Sequence, residues 1–163
     1  MAPRLTAAIL SGMDIRLDEL RDPAIHALLE EHLADMRRIS PPESVHALDL
    51  ERLRQPGISF WSVWDGDTLL GCGALKALSG EHGEIKSMRT AGGQRRRGVA
   101  RAMLAHIVDT ARARGLKRLS LETGSQPFFS PAHQLYESFG FERCGPFEGY
   151  VEDPHSVFMT RLL

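Results

Sequence analysis

The sequence of 163 residues has few cysteines, little net charge and no long apolar run. Its formal net charge is −1 at pH 7. This argues against a general affinity for nucleic acid or for an acidic membrane, because such binding depends on a basic surface. The apolar stretch from Leu5 to Leu10 is too short for a transmembrane helix and weak as a signal-peptide core. We therefore expect a cytoplasmic protein with no nucleic-acid or membrane partner.

The cysteine and histidine patterns exclude two further kinds of site. Cys72 and Cys144 each lie in an apolar, strand-like run, which favours two buried thiols in a reducing compartment over a catalytic cysteine. The seven histidines form neither an HExxH pattern nor a Cys/His ligand spacing. We therefore expect no metal.

Apolar spacing and turn residues predict a single mixed α/β domain that follows an N-terminal extension. The extension, residues 1–12, is expected to be disordered. The predicted order of elements is β-α-α-β-β-β-α-β-α-β-β. Asp65-Gly66-Asp67 is typical of a hairpin turn. Helices are predicted over residues 23–38, 43–54, 98–113 and 130–139, and the last two strands over residues 141–147 and 156–163.

The strongest local signal is a run of arginines where a predicted strand passes into a helix. Residues 94–101 read QRRRGVAR. A helix N-terminus carries a partial positive charge and unpaired N–H groups, so arginines there are unfavourable unless an anion lies among them. Gly98 and the small Ala100 let a ligand approach the backbone closely. We interpret this segment as a phosphate site, in preference to a solvated arginine run.

This segment and two others resemble the motifs of the GNAT superfamily of N-acetyltransferases. Residues 95–100 are similar to the family's R/Q-x-x-G-x-G/A signature, and the strand-like residues 83–90 precede it as they do in the family. Residues 132–141, AHQLYESFGF, resemble its A-x-x-L-Y-x-x-x-G-F motif. The resemblance covers roughly residues 13–163, and the three motifs together are highly specific. Residues 32–45 resemble a bacterial branch of small GNAT enzymes.

The resemblance implies a fold, a co-substrate and the residues that bind it. Residues 13–163 would form one GNAT acetyltransferase domain, with a mixed, mostly antiparallel sheet flanked by helices (the acyl-CoA N-acyltransferase fold). Backbone N–H groups of the arginine segment would hold the pyrophosphate of acetyl-CoA. Main-chain groups of Met88 and Thr90, on a strand splayed from its neighbour, would hold the pantetheine arm and the acetyl carbonyl. The implied cofactor-binding residues are Met88, Arg89, Thr90, Arg95, Arg96, Arg97, Gly98, Val99, Ala100 and Arg101.

Two residues are candidates for proton transfer. In the mechanism that the resemblance implies, Tyr136 protonates the leaving thiolate, although its place in an apolar helical stripe by itself favours a core tyrosine. Glu84 is the candidate base, and a solvated carboxylate paired with Lys86 is an equally good interpretation. A water chain is a third option. The weaker candidates are His32, His82 and His133, of which the last two are expected at the surface.

The predicted acceptor pocket comes from residues 31–44 and from the late loop 148–155, because specificity commonly lies in loops. We predict an acetyl-CoA-dependent N-acetyltransferase that acts by direct attack on the primary amine of a small molecule or amino-acid-like substrate. Two alternatives stay open: a protein or peptide N-acetyltransferase, and a non-enzymatic acyl-CoA sensor. The family is often dimeric, which leaves a homodimer open. The acidic residues that suit a cationic amine, or that are ordinary surface carboxylates, are Glu31, Glu43, Glu152 and Asp153.

Overall fold

Seven strands form one twisted sheet in the computed structural model, which describes residues 12–92 and 98–163. The strands are β1 (Asp14–Leu17), β2 (Ile58–Asp65), β3 (Thr68–Ala77), β4 (His82–Thr90), β5 (Arg118–Gly124), β6 (Glu142–Cys144) and β7 (Ser156–Leu162). Their order across the sheet is β1-β2-β3-β4-β5-β7-β6. β4 and β5 pair in parallel, and the other neighbouring pairs are antiparallel. The predicted fold class, a mixed and mostly antiparallel sheet flanked by helices, is confirmed.

The helices of the described residues are α1 (Pro23–Ile39), α2 (Leu50–Leu53), α3 (Val99–Ala113) and α4 (Ser130–Ser138). α1 begins as predicted, because the Asp22 side chain accepts a hydrogen bond from the Ala24 N–H at 2.8 Å. The single helix predicted over residues 43–54 is wrong. The chain forms a short 3₁₀ turn at Pro42–Ser44, and α2 then starts anew where Asp49 accepts from the Arg52 N–H.

Two apolar clusters cover the two faces of the sheet. On the α3 face, Ile85 and Leu121 of the strands pack with residues of α3 and with Tyr136 of α4. On the α1 face, α1 packs over residues of β2 and β3, among them Ala74. Side chains alternate between faces along a strand. Ala74 pairs with Lys86, so Lys86 and Glu84 lie on the α1 face, opposite to Ile85.

An irregularity in β4 opens the centre of the sheet. The register between β3 and β4 shifts by one residue, so that two residues of β4, Ser87 and Met88, stand opposite Gly73. Ser87 adopts φ 54°, as an inserted residue of a β-bulge can. The pairing of β4 with β5 stops at Ile85↔Leu121, although both strands continue. Beyond that pair the two parallel strands diverge and leave a gap.

Several expectations about burial can be compared with the structure. Cys72 is buried as expected, whereas Cys144 is exposed because β6 lies at the edge of the sheet. His133 is only 7% exposed, so its predicted surface position is wrong. Its ring nitrogen Nε2 lies 2.7 Å from the Gly124 carbonyl oxygen, because α4 turns this face towards β5. His82 is half-buried, with its Nε2 2.7 Å from Ser120 Oγ.

The predicted N-terminal extension lies outside the described residues, apart from Gly12. Among residues 12–92 and 98–163, no helix has the length and apolarity to cross a membrane. The same residues contain no group of three His, Cys, Asp or Glu side chains arranged to hold a metal ion.

Candidate active site

A cavity of about 670 Å³ occupies the gap between β4 and β5. On the α3 face its walls are the first turn of α3 and part of α4. On the α1 face its walls are α1 and residues 44–47. The divergent ends of β4 and β5 form the sides, so the cavity joins the two faces of the sheet. Its volume is typical of sites for small molecules and cofactors.

The α3 end of the cavity has the backbone geometry of an anion site. Gly98 has φ 76°, and a Cβ atom built on it would meet nothing within 4 Å. The first N–H groups of α3 have no intrahelical acceptor, and no described side chain caps them. Arg101 turns towards α4, where it donates to Ser138 Oγ at 3.3 Å. The predicted phosphate ligands Arg95, Arg96 and Arg97 lie outside the described residues.

The middle of the cavity is lined by the bulged part of β4. Met88, Arg89 and Thr90, which the resemblance implied as cofactor-binding residues, all contribute to the wall. The Arg89 guanidinium, however, points to α1: its Nη2 lies 2.7 Å from Glu31 Oε1 and 2.6 Å from Asp35 Oδ2. This side chain therefore fastens α1 to β4.

Three buried polar atoms of this wall have no hydrogen-bond partner among the described residues. They are Ser87 Oγ, on the bulge, Arg89 Nε, on β4, and His32 Nδ1, on α1. Burial, with a further contribution from the charge of Arg89, lowers the pKa of His32 to about 4, so the imidazole is neutral at physiological pH. Unpaired polar atoms on a cavity wall are available to a ligand.

Tyr136 both packs in the core and lines the cavity. It is 6% exposed, and its ring centroid lies 5.8 Å from that of Phe141. Burial raises the pKa of Tyr136 above its usual value, so the phenol is protonated at neutral pH. The two interpretations of its spacing, a core ring and a proton donor at the ligand, are therefore compatible in this geometry.

Glu84 is not the solvated carboxylate that one interpretation expected. It is 3% exposed, and its Oε2 accepts from Lys86 Nζ at 3.0 Å and from the Tyr150 hydroxyl at 2.5 Å. Burial, together with the charge of Glu84, raises the pKa of Tyr150. Tyr150 also makes an edge contact with His46, with 4.9 Å between ring centroids. Glu84 thus belongs to a buried ion pair on the α1 face.

Glu122 is a further acidic side chain of the cavity, and the sequence interpretation missed it. Burial raises its pKa to about 7; the Ser156 hydroxyl and the charge of Lys86 oppose the rise, and the charges of Glu84 and Asp153 add to it. A signal was present in the sequence: Leu119 and Leu121 alternate with Ser120 and Glu122, so the strand carries a charge on one face. Read alone, that alternation describes an ordinary half-exposed strand.

Of the two predicted acceptor segments, the early one lines the α1 end of the cavity, whereas none of the lining residues comes from the late loop 148–155. His32, Met36, Ser40 and Ser44 line the α1 end, as does the unpredicted stretch 45–47. Ser44 Oγ donates to Asp153 Oδ2 at 2.5 Å, which joins the early segment to the late loop. The four predicted carboxylates differ in their surroundings. Glu31 pairs with Arg89, Asp153 accepts from Ser44, and Glu43 and Glu152 are exposed.

Residues 25–141 match the model of the acetyltransferase (GNAT) family. A Bacillus subtilis protein named uncharacterized N-acetyltransferase YsnE is 58% identical over 93% of this chain and all of the relative. The Escherichia coli protein named uncharacterized N-acetyltransferase YedL is 53% identical over 91% of this chain and 94% of its own.

Solved structures share the fold at lower identity. An Elizabethkingia anophelis GNAT acetyltransferase, solved with acetyl-CoA bound, superposes with a TM-score of 0.69 at 17% identity, over 93% of this chain and 99% of that one. An acetyltransferase from Streptococcus agalactiae gives a TM-score of 0.71 at 20% identity, over 93% of this chain and 99% of that chain.

Proposed function

The chain belongs to the GNAT family of acetyltransferases, and we propose that it transfers the acetyl group of acetyl-CoA to the primary amine of a small molecule or amino-acid-like substrate. One observation carries this proposal: a single cavity connects the uncapped start of α3 to the polar chamber on the α1 face. Such a passage lets the donor and the acceptor approach from opposite faces of the sheet. Holding both in line favours direct attack without a covalent enzyme intermediate.

The donor would occupy the α3 half of the cavity. The N–H groups that follow Gly98 suit the pyrophosphate, and the arginines at positions 95–97 would supply counter-charge. The main chain of Met88 and Thr90 would hold the pantetheine arm beside the bulge. Acetyl-CoA itself supplies an activated acyl carbonyl. The acetyl-CoA found in the Elizabethkingia neighbour supports this choice of donor.

The two proton transfers of the reaction would take place on opposite faces of the sheet. Tyr136 lies on the α3 face, where it would protonate the departing thiolate. The amine must lose a proton on the α1 face, for which the sequence offered Glu84 or a water chain. Ser40 and residues 44–47 line that end of the cavity, and Ser44 is tied to the late loop through Asp153. A small amine fits a lined cavity of this kind, and a protein chain would need an open groove.

The test is an acceptor screen that follows the release of free CoA thiol. Purified protein with acetyl-CoA is offered amino acids, aromatic amines, polyamines and a short peptide with a free N-terminus. We expect thiol release with at least one small primary amine and an acetylated product of matching mass. Binding of acetyl-CoA without release in any reaction would instead identify a sensor. Release with the peptide alone would identify the other alternative.

A further inference from the structure

We propose that Glu122, and not Glu84, binds the acceptor as an ammonium ion and takes its proton. The inference rests on the proposed amine acetylation and assigns the acceptor-binding carboxylate within it. Three observations support it: the point at which the pairing of β4 and β5 ends, the hydrogen bonds that Glu84 already accepts, and the charges around Glu122.

The position of Glu122 is fixed by the end of the parallel pairing. Ile85↔Leu121 is the last pair between β4 and β5, so Lys86 and Glu122 are the first residues beyond it on their strands. Ser120, two residues earlier, pairs with Glu84, and both therefore share a face with Glu122. Glu122 thus stands on the α1 face at the apex of the gap. An acyl group that enters the gap from the α3 face arrives beside this carboxyl.

Glu84 is poorly available as a proton acceptor. One of its oxygens already accepts hydrogen bonds from Lys86 Nζ and the Tyr150 hydroxyl. Protonating this carboxylate would leave the ammonium of Lys86, whose side chain is 8% exposed, buried without its counter-charge. Among the described residues Glu122 has no such cationic partner, and it lines the cavity directly. Glu84 and Lys86 therefore form a neutral pair, and Glu122 is the carboxyl of the cavity wall that stands outside this pair.

Burial, together with the groups that face Glu122, sets the pH range over which its charge changes. Glu84 and Lys86 face it from β4, Tyr150 and Asp153 from the late loop, and Ser156 from β7. Burial and the charge of Lys86 lower the pKa of His46, on the segment after α1, against the opposing charges of Asp153 and Glu84. With its pKa near 7, Glu122 can exist as a carboxylate that attracts an ammonium ion and as an acid after it has taken a proton.

The proposed reaction balances with the amine and acetyl-CoA alone, and no other reactant is needed. Glu122 takes one proton from the ammonium ion, and the freed lone pair attacks the thioester carbonyl carbon to form the C–N bond. The C–S bond breaks, and the thiolate receives the proton that Tyr136 donates. The nitrogen then loses a second proton to solvent, and solvent returns one proton to the Tyr136 phenolate. Glu122 releases its proton to water, so the net products are the amide, CoA thiol and one proton.

The experiment compares pH–rate profiles of wild type, Glu122→Gln and Glu84→Gln with the amine that the acceptor screen identifies. For wild type, kcat/KM for the amine should fall tenfold per pH unit below about pH 7, as Glu122 becomes protonated. Glu122→Gln should lower kcat/KM at pH 7.5 by about 10²–10⁴-fold. Its activity should then rise tenfold per pH unit up to the pKa of the free amine, because only neutral amine reacts. KM for acetyl-CoA should stay unchanged.

A matched control and a second measurement separate the outcomes. Glu142→Gln makes the same charge change on the exposed edge strand β6 and should keep the wild-type profile. Carboxyl ¹³C NMR of glutamate-labelled protein should show one group that titrates near pH 7 and is lost in Glu122→Gln, with no substrate needed. If no glutamate titrates there, or if Glu84→Gln and not Glu122→Gln removes the acidic limb, the inference fails while amine acetylation stands. If wild type acetylates no amine, the proposed function fails.

Discussion

Replacement of Tyr136 by phenylalanine tests the proposed proton donor most directly. The ring packs against Phe141, and phenylalanine keeps that ring. Among the described residues no group hydrogen-bonds to the hydroxyl, so its loss should change the free energy of unfolding by less than about 1 kcal/mol. For a chain of this size such a change moves Tm by about 2–4 °C at most. Stability is therefore expected to survive the substitution.

The expected loss of turnover follows from the acidities of the two partners. A free phenol has a pKa of about 10 and a thiol about 8.5, so the transfer is uphill by roughly 2 kcal/mol before any effect of the site. Burial raises the pKa of Tyr136 further and makes it a weaker donor. General-acid catalysis typically contributes 10²–10⁴-fold. We therefore expect kcat to fall by about 10²-fold, or about 2.7 kcal/mol of barrier.

The assay measures thiol release under saturating acetyl-CoA and thermal unfolding on one preparation. Phe141→Leu serves as the control for a purely structural role, because Phe141 is buried against the same ring. It should lower stability by about 1–2 kcal/mol with near-normal turnover per folded molecule. If Tyr136→Phe behaves like this control, Tyr136 is a core residue and the donor is another group.

Two other predictions concern the cofactor end and the thiols. Gly98→Glu should abolish most of the stabilisation by acetyl-CoA, which is about 2.7 kcal/mol at 100 times the dissociation constant, because it strains φ 76° and adds a charge beside the phosphates. Gly115→Glu, at φ 82° beyond the other end of α3, carries the same strain and should keep that stabilisation; an equal loss in both variants would move the phosphate site elsewhere. A disulfide reagent should react quickly with Cys144 and with Cys72 only after unfolding, since burial raises the pKa of Cys72 to about 12; two fast thiols in folded protein would contradict the packing.

The elements that the sequence predicted well are those with local causes. α1 follows from a capping aspartate, a first-turn proline and apolar residues at helical spacing, all within one segment. The hairpin after β2 follows from Asp65-Gly66-Asp67, and Asp65 does pair with Thr68. The helix predicted over residues 43–54 failed because Asp49 offers a second N-cap within it. A second possible N-cap of this kind can be seen in the sequence, but the sequence does not show whether it will start a new helix.

Only those parts of the candidate site that lie within one short segment could be predicted from the sequence. The start of α3 combines a glycine, small residues and arginines in eight positions, and the proposed phosphate site was inferred from them alone. The bulge at Ser87 cannot be read in that way, because it is defined by the register of β4 against β3. The same holds for Glu122, whose significance depends on the place where β5 parts from β4. Strand registers are long-range properties, and a single sequence does not report them.

Side chains alternate between the two faces of the sheet along β4 and β5. The gap between these strands therefore has an apolar side and a charged side. Ile85 and Leu121 close the pairing and face the apolar α3 side, where Tyr136 and the proposed thioester would lie. One residue further on, Lys86 and Glu122 face the opposite side, where the proposed amine would arrive. A shift of β5 by a single residue would bring Leu121 or Thr123 to the apex in place of Glu122 and turn the carboxyl towards the core. The pairing of β5 with β7 from Arg118↔Leu162 to Gly124↔Ser156 holds β5 in its register. Through that pairing, β7, which lies between β5 and the edge strand β6, determines which side chain stands at the proposed acceptor site.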